Sequence, residues 1–338
     1  MSDRPRRATL GLAAWTTAIV AAALGLPVPG IGRGPSRSLD PAAWGGDHVG
    51  QGVPDYLTGD ECLFCHRMDI GPGFATNRHN ITIRPIGDEP GALKALKQGP
   101  ETKELADAVI YLMGGPRRQR YLKASRAYGR LDLLSTQWQP PHSGLPGRLV
   151  DAERPRWDSS SFADACAGCH ATAVETATRA FSTASLDCYV CHGVVGPKHS
   201  KGPTLVLLSR ARRDPPRVAA SICAQCHLRT GRSRSTGLPY PNTFVAGDNL
   251  FRDFAVDLSP ADVAKLHPAD RHIYENTRDV VSGGDERVTC LSCHDVHRRS
   301  TAEHQKLARR DLCLNCHDAT GRQTTFDPDD LHSPACRY

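Results

Sequence analysis

The chain has 338 residues and a formal net charge of +6, long enough for two or three globular domains. Yet 39% of its residues are hydrophobic and 6% aromatic, against 30 Gly and 25 Pro, so side chains alone would fill such interiors poorly. A single long apolar run excludes a multi-spanning membrane protein, and the unusual entries are thirteen Cys and fifteen His.

At the N-terminus Arg4, Arg6 and Arg7 precede a charge-free stretch from Ala8 to Leu26, followed by Pro27, Pro29 and glycine-rich sequence. That is the layout of a bacterial export signal, so residues 1–26 read as a signal peptide or, if uncleaved, an N-terminal membrane anchor. Everything downstream is then periplasmic or otherwise extracytoplasmic. Residues 27–56 read as a linker. Residues 57–157 read as a unit with one cysteine motif, and 158–338 as a region with five more.

The motif is Cys-x-x-Cys-His. At these Cys and His frequencies it should arise by chance about 0.02 times in such a chain, yet it occurs six times. The six are Cys62, Cys65, His66; Cys166, Cys169, His170; Cys188, Cys191, His192; Cys223, Cys226, His227; Cys290, Cys293, His294; and Cys313, Cys316, His317. On a helical turn, residues i and i+3 face the same way, so two thiols can add to the two vinyl groups of one haem. The following His then projects onto the iron. Zinc would not require a His directly after every second Cys, and a redox-active pair would sit in a thioredoxin-like βαβ pattern. The sequence therefore predicts six covalently bound c-type haems, with Cys336 left over. Export adds weight, because thirteen thiols in an oxidising compartment would otherwise form disulfides and the odd count prevents a complete set.

The first cysteines of successive motifs lie 104, 22, 35, 67 and 23 residues apart. Twenty-odd residues cannot wrap two separate cores, so the doubled motifs at Cys166 with Cys188 and at Cys290 with Cys313 should bring two haems close together. The Cys223 haem joins the first pair as a triplet.

Nine His lie outside the motifs, and beyond Met1 only Met68 and Met113 remain as methionine ligands. Paired-histidine ligation should dominate, with low potentials. His79, His199 and His297 are the leading second ligands, His272 is next, His332 and His304 follow, and His48, His142 and His267 read as bystanders.

Between the first two motifs, runs at Ala108 to Met113, Arg118 to Lys123 and Arg130 to Ser135 are separated by Gly114-Gly115-Pro116 and Ala127-Tyr128-Gly129, which predicts a three-stranded meander covering the first haem. A helix over Glu101 to Met113 competes, through Leu105, Val109 and Leu112 on one face. Strand is expected for the second half of that span. Ser259-Pro260-Ala261-Asp262 reads as a helix start, a helix is expected from the His272 region towards Ser282, and Leu228 to Asp253 reads as a long loop over haem edges.

The strings Cys188-Tyr-Val-Cys191-His192-Gly193, Cys290-Leu-Ser-Cys293-His294-Asp295-Val296-His297 and Leu331-His-Ser-Pro-Ala-Cys336-Arg-Tyr, with the paired spacing, resemble the bacterial multihaem cytochromes c with doubled haem motifs. That group is similar to the tetrahaem cytochromes linked to hydroxylamine oxidation. The resemblance implies a mainly α and irregular fold organised around stacked haems, to which the small β meander in the N-terminal half is an addition. It implies paired-histidine haems passing single electrons, with some irons five-coordinate.

Six haems carry two propionates each, so the holoprotein would lie below zero net charge when oxidised, and the basic chain gives no argument for nucleic acid. Expected partners are redox proteins: a quinol-oxidising complex or periplasmic donor on one side, a terminal reductase or surface acceptor on the other. The alternative is a multihaem oxidoreductase acting on a small nitrogen or sulfur compound at a five-coordinate haem. No Cys-x-x-Cys-Lys string supports it, no catalytic residue is nominated, and a carrier is favoured over an enzyme.

Overall fold

The structure is a computed structural model and describes residues 48–212, 214–282 and 289–298. The export segment, most of the expected linker, the sixth motif at Cys313, Cys316 and His317, and also His304, His332 and Cys336 lie outside the described residues.

The first motif closes helix α1, Gly59–His66. Its start is fixed by Thr58, whose backbone N–H donates to Glu61 Oε2 at 3.1 Å, and Asp60 and Glu61 sit in the first turn where the helix dipole favours carboxylates. A short helix α2, Gly71–Phe74, and helix α3, Pro90–Gln98, lead to the sheet.

Six antiparallel strands form that sheet: β1 Ile83–Pro85, β2 Tyr111–Gly114, β3 Gln119–Ala124, β4 Leu131–Gln139, β5 Arg148–Val150 and β6 Trp157–Asp158. The order is β1-β2-β3-β4-β5, with β6 sharing the outer edge of β4. The expected meander is β2-β3-β4. The span that was open between helix and strand divides: Lys103–Ala108 is a 3-10 helix and Tyr111–Gly114 is strand. Gly114, at φ +114°, turns the chain where any Cβ would sit 2.5 Å from the Arg118 carbonyl oxygen. In the β3-β4 ladder the register shifts, with Arg120 opposite Gln137 and Leu122 opposite Leu133, so β4 takes four residues where β3 takes two.

Neighbouring residues of each strand enter opposite cores, as a pleated strand requires. Met113, Leu122 and Leu133 join Ile83, Leu131, Phe162, Ala167 and Ala171 on one face. Leu112, Tyr121, Leu134 and Trp138 meet Ala92, Leu96, Ala106 and Val109 on the other. The first of these cores includes the half-buried Cys166. The sheet thus backs the second motif, because the helix after β6, α4 Ser161–Ala165, lays Phe162 against the strands.

Beyond the sheet the chain has two two-residue strand pairs, Ala171–Thr172 with Thr183–Ala184 and Arg232–Ser233 with Phe254–Ala255, and is otherwise irregular with helices: α5 Ala167–His170, α6 Cys188–His192, α7 Pro216–His227, α8 Pro260–Val263, α9 Pro268–Ser282 and α10 Cys290–Cys293. The Ser259 start holds as expected, its hydroxyl accepting from the Asp262 N–H. Helix α7 lies at the centre. It buries Val218, Ala219, Ala220, Ile222 and Ala224 and packs against α5, α9 and α10.

Candidate haem centres

Each described motif is helical, which is the geometry its spacing requires. Cys62 to His66 ends α1, Cys223 to His227 ends α7, and α5, α6 and α10 are little more than the motif itself. Asp187 caps α6 by accepting from the Tyr189 N–H at 2.9 Å. None of Cys62, Cys65, Cys166, Cys169, Cys188, Cys191, Cys223, Cys226 and Cys290 is in a disulfide.

Three motif histidines face a second imidazole contributed from far along the chain. The ring centroids of His66 and His199 are 6.4 Å apart with planes inclined by 29°. His227 and His79 stand at 6.3 Å and 78°, and His192 and His297 at 5.9 Å and 23°. An imidazole nitrogen bonds a first-row metal at about 2.0 Å, so two rings trans on one iron hold their centroids about 6 Å apart. The separations fit an iron between each pair.

Ring orientation fits as well. A ligating His commonly donates its other ring N–H to an oxygen, which fixes the tautomer. Here His66 Nδ1 meets Asp69 Oδ2 at 3.2 Å, His199 Nδ1 the Gly196 carbonyl at 2.9 Å, His192 Nδ1 the Leu207 carbonyl at 2.6 Å and His79 Nδ1 Asn77 Oδ1 at 3.1 Å. Each leaves Nε2 for a metal. Burial lowers the pKa of His79, His170, His192 and His294, and burial together with His79 brings His227 down to about 4. These imidazoles are neutral at pH 7, the form that binds iron.

His294 of the fifth motif has His272 as its electrostatic neighbour, on α9 as expected. His170 differs, with Nδ1 buried and no partner among the described residues. Of the expected bystanders, His142 is exposed, whereas His48 is 7% exposed and holds Asp248 Oδ2 at 2.7 Å through Nδ1. The sequence carried no sign of that pair, 200 residues apart, nor of the oxygens on the other Nδ1 atoms, except that Asn77 stands two residues before His79 at the spacing of a local side-chain turn.

The motifs are also close to one another. The side chains of Cys62 and Cys188, of Cys169 and Cys226, and of Cys223 and Cys290 are close neighbours. Contact with Cys188 brings the Cys62 thiol down to about 7, while burial pushes Cys166 up to about 11. A cleft is bordered by Gly168, Tyr189, Val190 and Gln225, drawn from the second, third and fourth motifs.

Residues 280–322 match the family model of the doubled CXXCH motif. Among solved structures the chain is similar to an undecahaem cytochrome from the S-layer of Carboxydothermus ferrireducens, at 16% identity and a TM-score of 0.44 over 82% of this chain. The chain spans 45% of the length of that cytochrome. No curated protein matches it. The doubled motif at residues 280–322, with the same motif repeated four times upstream, is the sequence mark of a multihaem c-type cytochrome.

Proposed function

We propose that the protein is an extracytoplasmic hexahaem electron carrier whose irons are mostly held between two histidines. The observation that carries this reading is the set of three facing imidazole pairs at 5.9, 6.3 and 6.4 Å. A haem bound between such rings supplies a one-electron iron couple. The chain's part is to hold Cys pairs on helical turns, to present neutral imidazoles, and to keep each ring in place through its Nδ1 partner. His66 with His199, His192 with His297, His227 with His79 and His294 with His272 are the ligand sets, and His332 remains a candidate for a further iron.

The thiol contacts suggest an order. The first motif meets the third, the second meets the fourth, and the fourth meets the fifth. Cys191 of the third motif is an electrostatic neighbour of Cys223 and Cys226. The fourth motif, on the central helix, is then the branch point of the path. The export-type N-terminus supports an extracytoplasmic place, with a quinol-oxidising complex or periplasmic protein as donor and a terminal reductase or surface acceptor beyond. No helix among the described residues is long and apolar enough to cross a membrane.

Electron paramagnetic resonance of the oxidised holoprotein tests the ligand sets. The spectrum should be dominated by low-spin ferric haem, and His199→Ala, His297→Ala and His79→Ala should each convert one haem to high spin. Three unchanged spectra would overturn the reading, and a pyridine haemochrome assay of the same samples should return six haems per chain.

A further inference from the structure

Asn77 is 1% exposed and uses its whole amide between two of the ligand candidates. Its Oδ1 accepts from the backbone N–H of His79 at 2.9 Å and faces His79 Nδ1 at 3.1 Å. Its Nδ2 donates to the Arg298 carbonyl at 2.6 Å, across 221 residues of sequence. The orientation of the amide follows from these partners, since N–H donors surround one end and a carbonyl the other. Arg298 is the residue after His297. The same junction explains Gly73, where a Cβ would land on the His297 carbonyl oxygen. His79 and His297 belong to different imidazole pairs, with His227 and with His192.

We infer that Asn77 is a shared positioning residue that sets the second axial ligand of two haems at once, those of the fourth and third motifs. The inference rests on the paired-histidine reading. Its physical basis is that a partner on Nδ1 fixes the ring and raises the basicity of the metal-bound nitrogen, and that loss of such partners typically costs 10–100-fold. Without Oδ1, His79 turns freely and donates less to its iron. Without Nδ2, the segment carrying His297 loses its tie to the first-motif region. Leucine has the branched outline of asparagine with two methyl groups in place of the amide, so Asn77→Leu removes the hydrogen bonds without emptying the space.

The test compares Asn77→Leu, Gly73→Ala, His79→Ala and His297→Ala holoproteins by paramagnetic resonance and redox titration. Asn77→Leu should alter two haems, each either gaining high-spin character or rising in potential by about 59 mV, the one-electron equivalent of a tenfold change. Gly73→Ala, which displaces only the His297 segment, should alter one of those two. Adding His79→Ala to Asn77→Leu should change the fourth-motif haem no further than His79→Ala alone. If both His variants convert a haem but Asn77→Leu merely lowers the melting temperature, with every signal and potential unchanged, Asn77 is structural filling and the inference fails. If neither His variant converts a haem, the ligand reading itself fails, and with it this inference.

Discussion

A methyl group on Gly168 would land inside the ring of Tyr240, whose hydroxyl is anchored on the Ala163 carbonyl. The second variable position of Cys166-Ala167-Gly168-Cys169-His170 is therefore closed to any side chain, because Tyr240 is packed directly against the helical turn. Gly168→Ala should lower stability by about 1–3 kcal/mol, the cost of overpacking a filled core, read as a drop in melting temperature. Alanine at the exposed Phe64, the equivalent position of the first motif and 84% exposed, should change little. In the sequence those two positions looked alike. The motif spacing was legible because it is a local helical constraint, whereas the neighbour above each turn is set by residues far along the chain. The same holds for the histidines. His79, His199 and His297 could be nominated by demand for ligands, but the pairing of each with a particular motif depends on how α1, α6 and α7 are brought together.

Among the elements, the stretch from Leu228 to Asp253 is irregular as its Gly and Pro content foretold, but it is tied down by a carboxylate. Asp253 is 6% exposed. Its oxygens accept from the Ser233 hydroxyl, the Asn242 N–H at 3.2 Å and the Ser235 N–H at 3.0 Å, and its carbonyl accepts from the Arg234 N–H. Burial alone would raise its pKa, but the hydrogen bonds from Ser233 and its neighbours outweigh burial and hold the group below the ordinary carboxylate value. A carboxyl with a depressed native pKa contributes stability that is present above the unfolded value of about 3.9 and is lost as pH falls through the lower native value. Asp253→Asn should thus be destabilising at pH 7, by about 1–3 kcal/mol for hydrogen bonds to a buried charge. Its deficit should shrink as wild type and variant are titrated towards pH 2, and a constant gap in urea midpoints would refute that role. The loop's composition announced the absence of regular structure, while the partners that make it rigid are scattered polar residues with no periodic signal. For the sheet the runs of apolar residues gave three strands. The added strands β1, β5 and β6 are two or three residues long, too short for a pattern to register.

At the scale of the whole molecule, the motifs far apart in sequence converge. Intervals of 104 and 67 residues between first cysteines set the first motif and the final doubled motif apart in sequence, yet Cys62 neighbours Cys188 and Cys290 neighbours Cys223. Sequence spacing bounds only how near two motifs must be, never how near they come. Haems attached to touching cysteines sense one another's charge, since an added electron at one site opposes reduction of the next in a low-dielectric interior. A potentiometric titration followed at the haem bands should spread well beyond a single one-electron step, and a single Nernst curve for all haems would contradict the packing described.

The touching thiols also constrain how the protein is made. In an oxidising compartment, a chain that reached this fold before capturing its cofactors would hold Cys62 beside Cys188, and Cys169 beside Cys226. Two neighbouring thiols that meet an external disulfide can exchange with it, reducing it to two thiols and closing a disulfide of their own. Each such bond would join two different motifs and consume one vinyl acceptor's partner in both. Haem attachment ahead of tertiary folding would avoid such cross-links, because the motifs are then still apart along the chain.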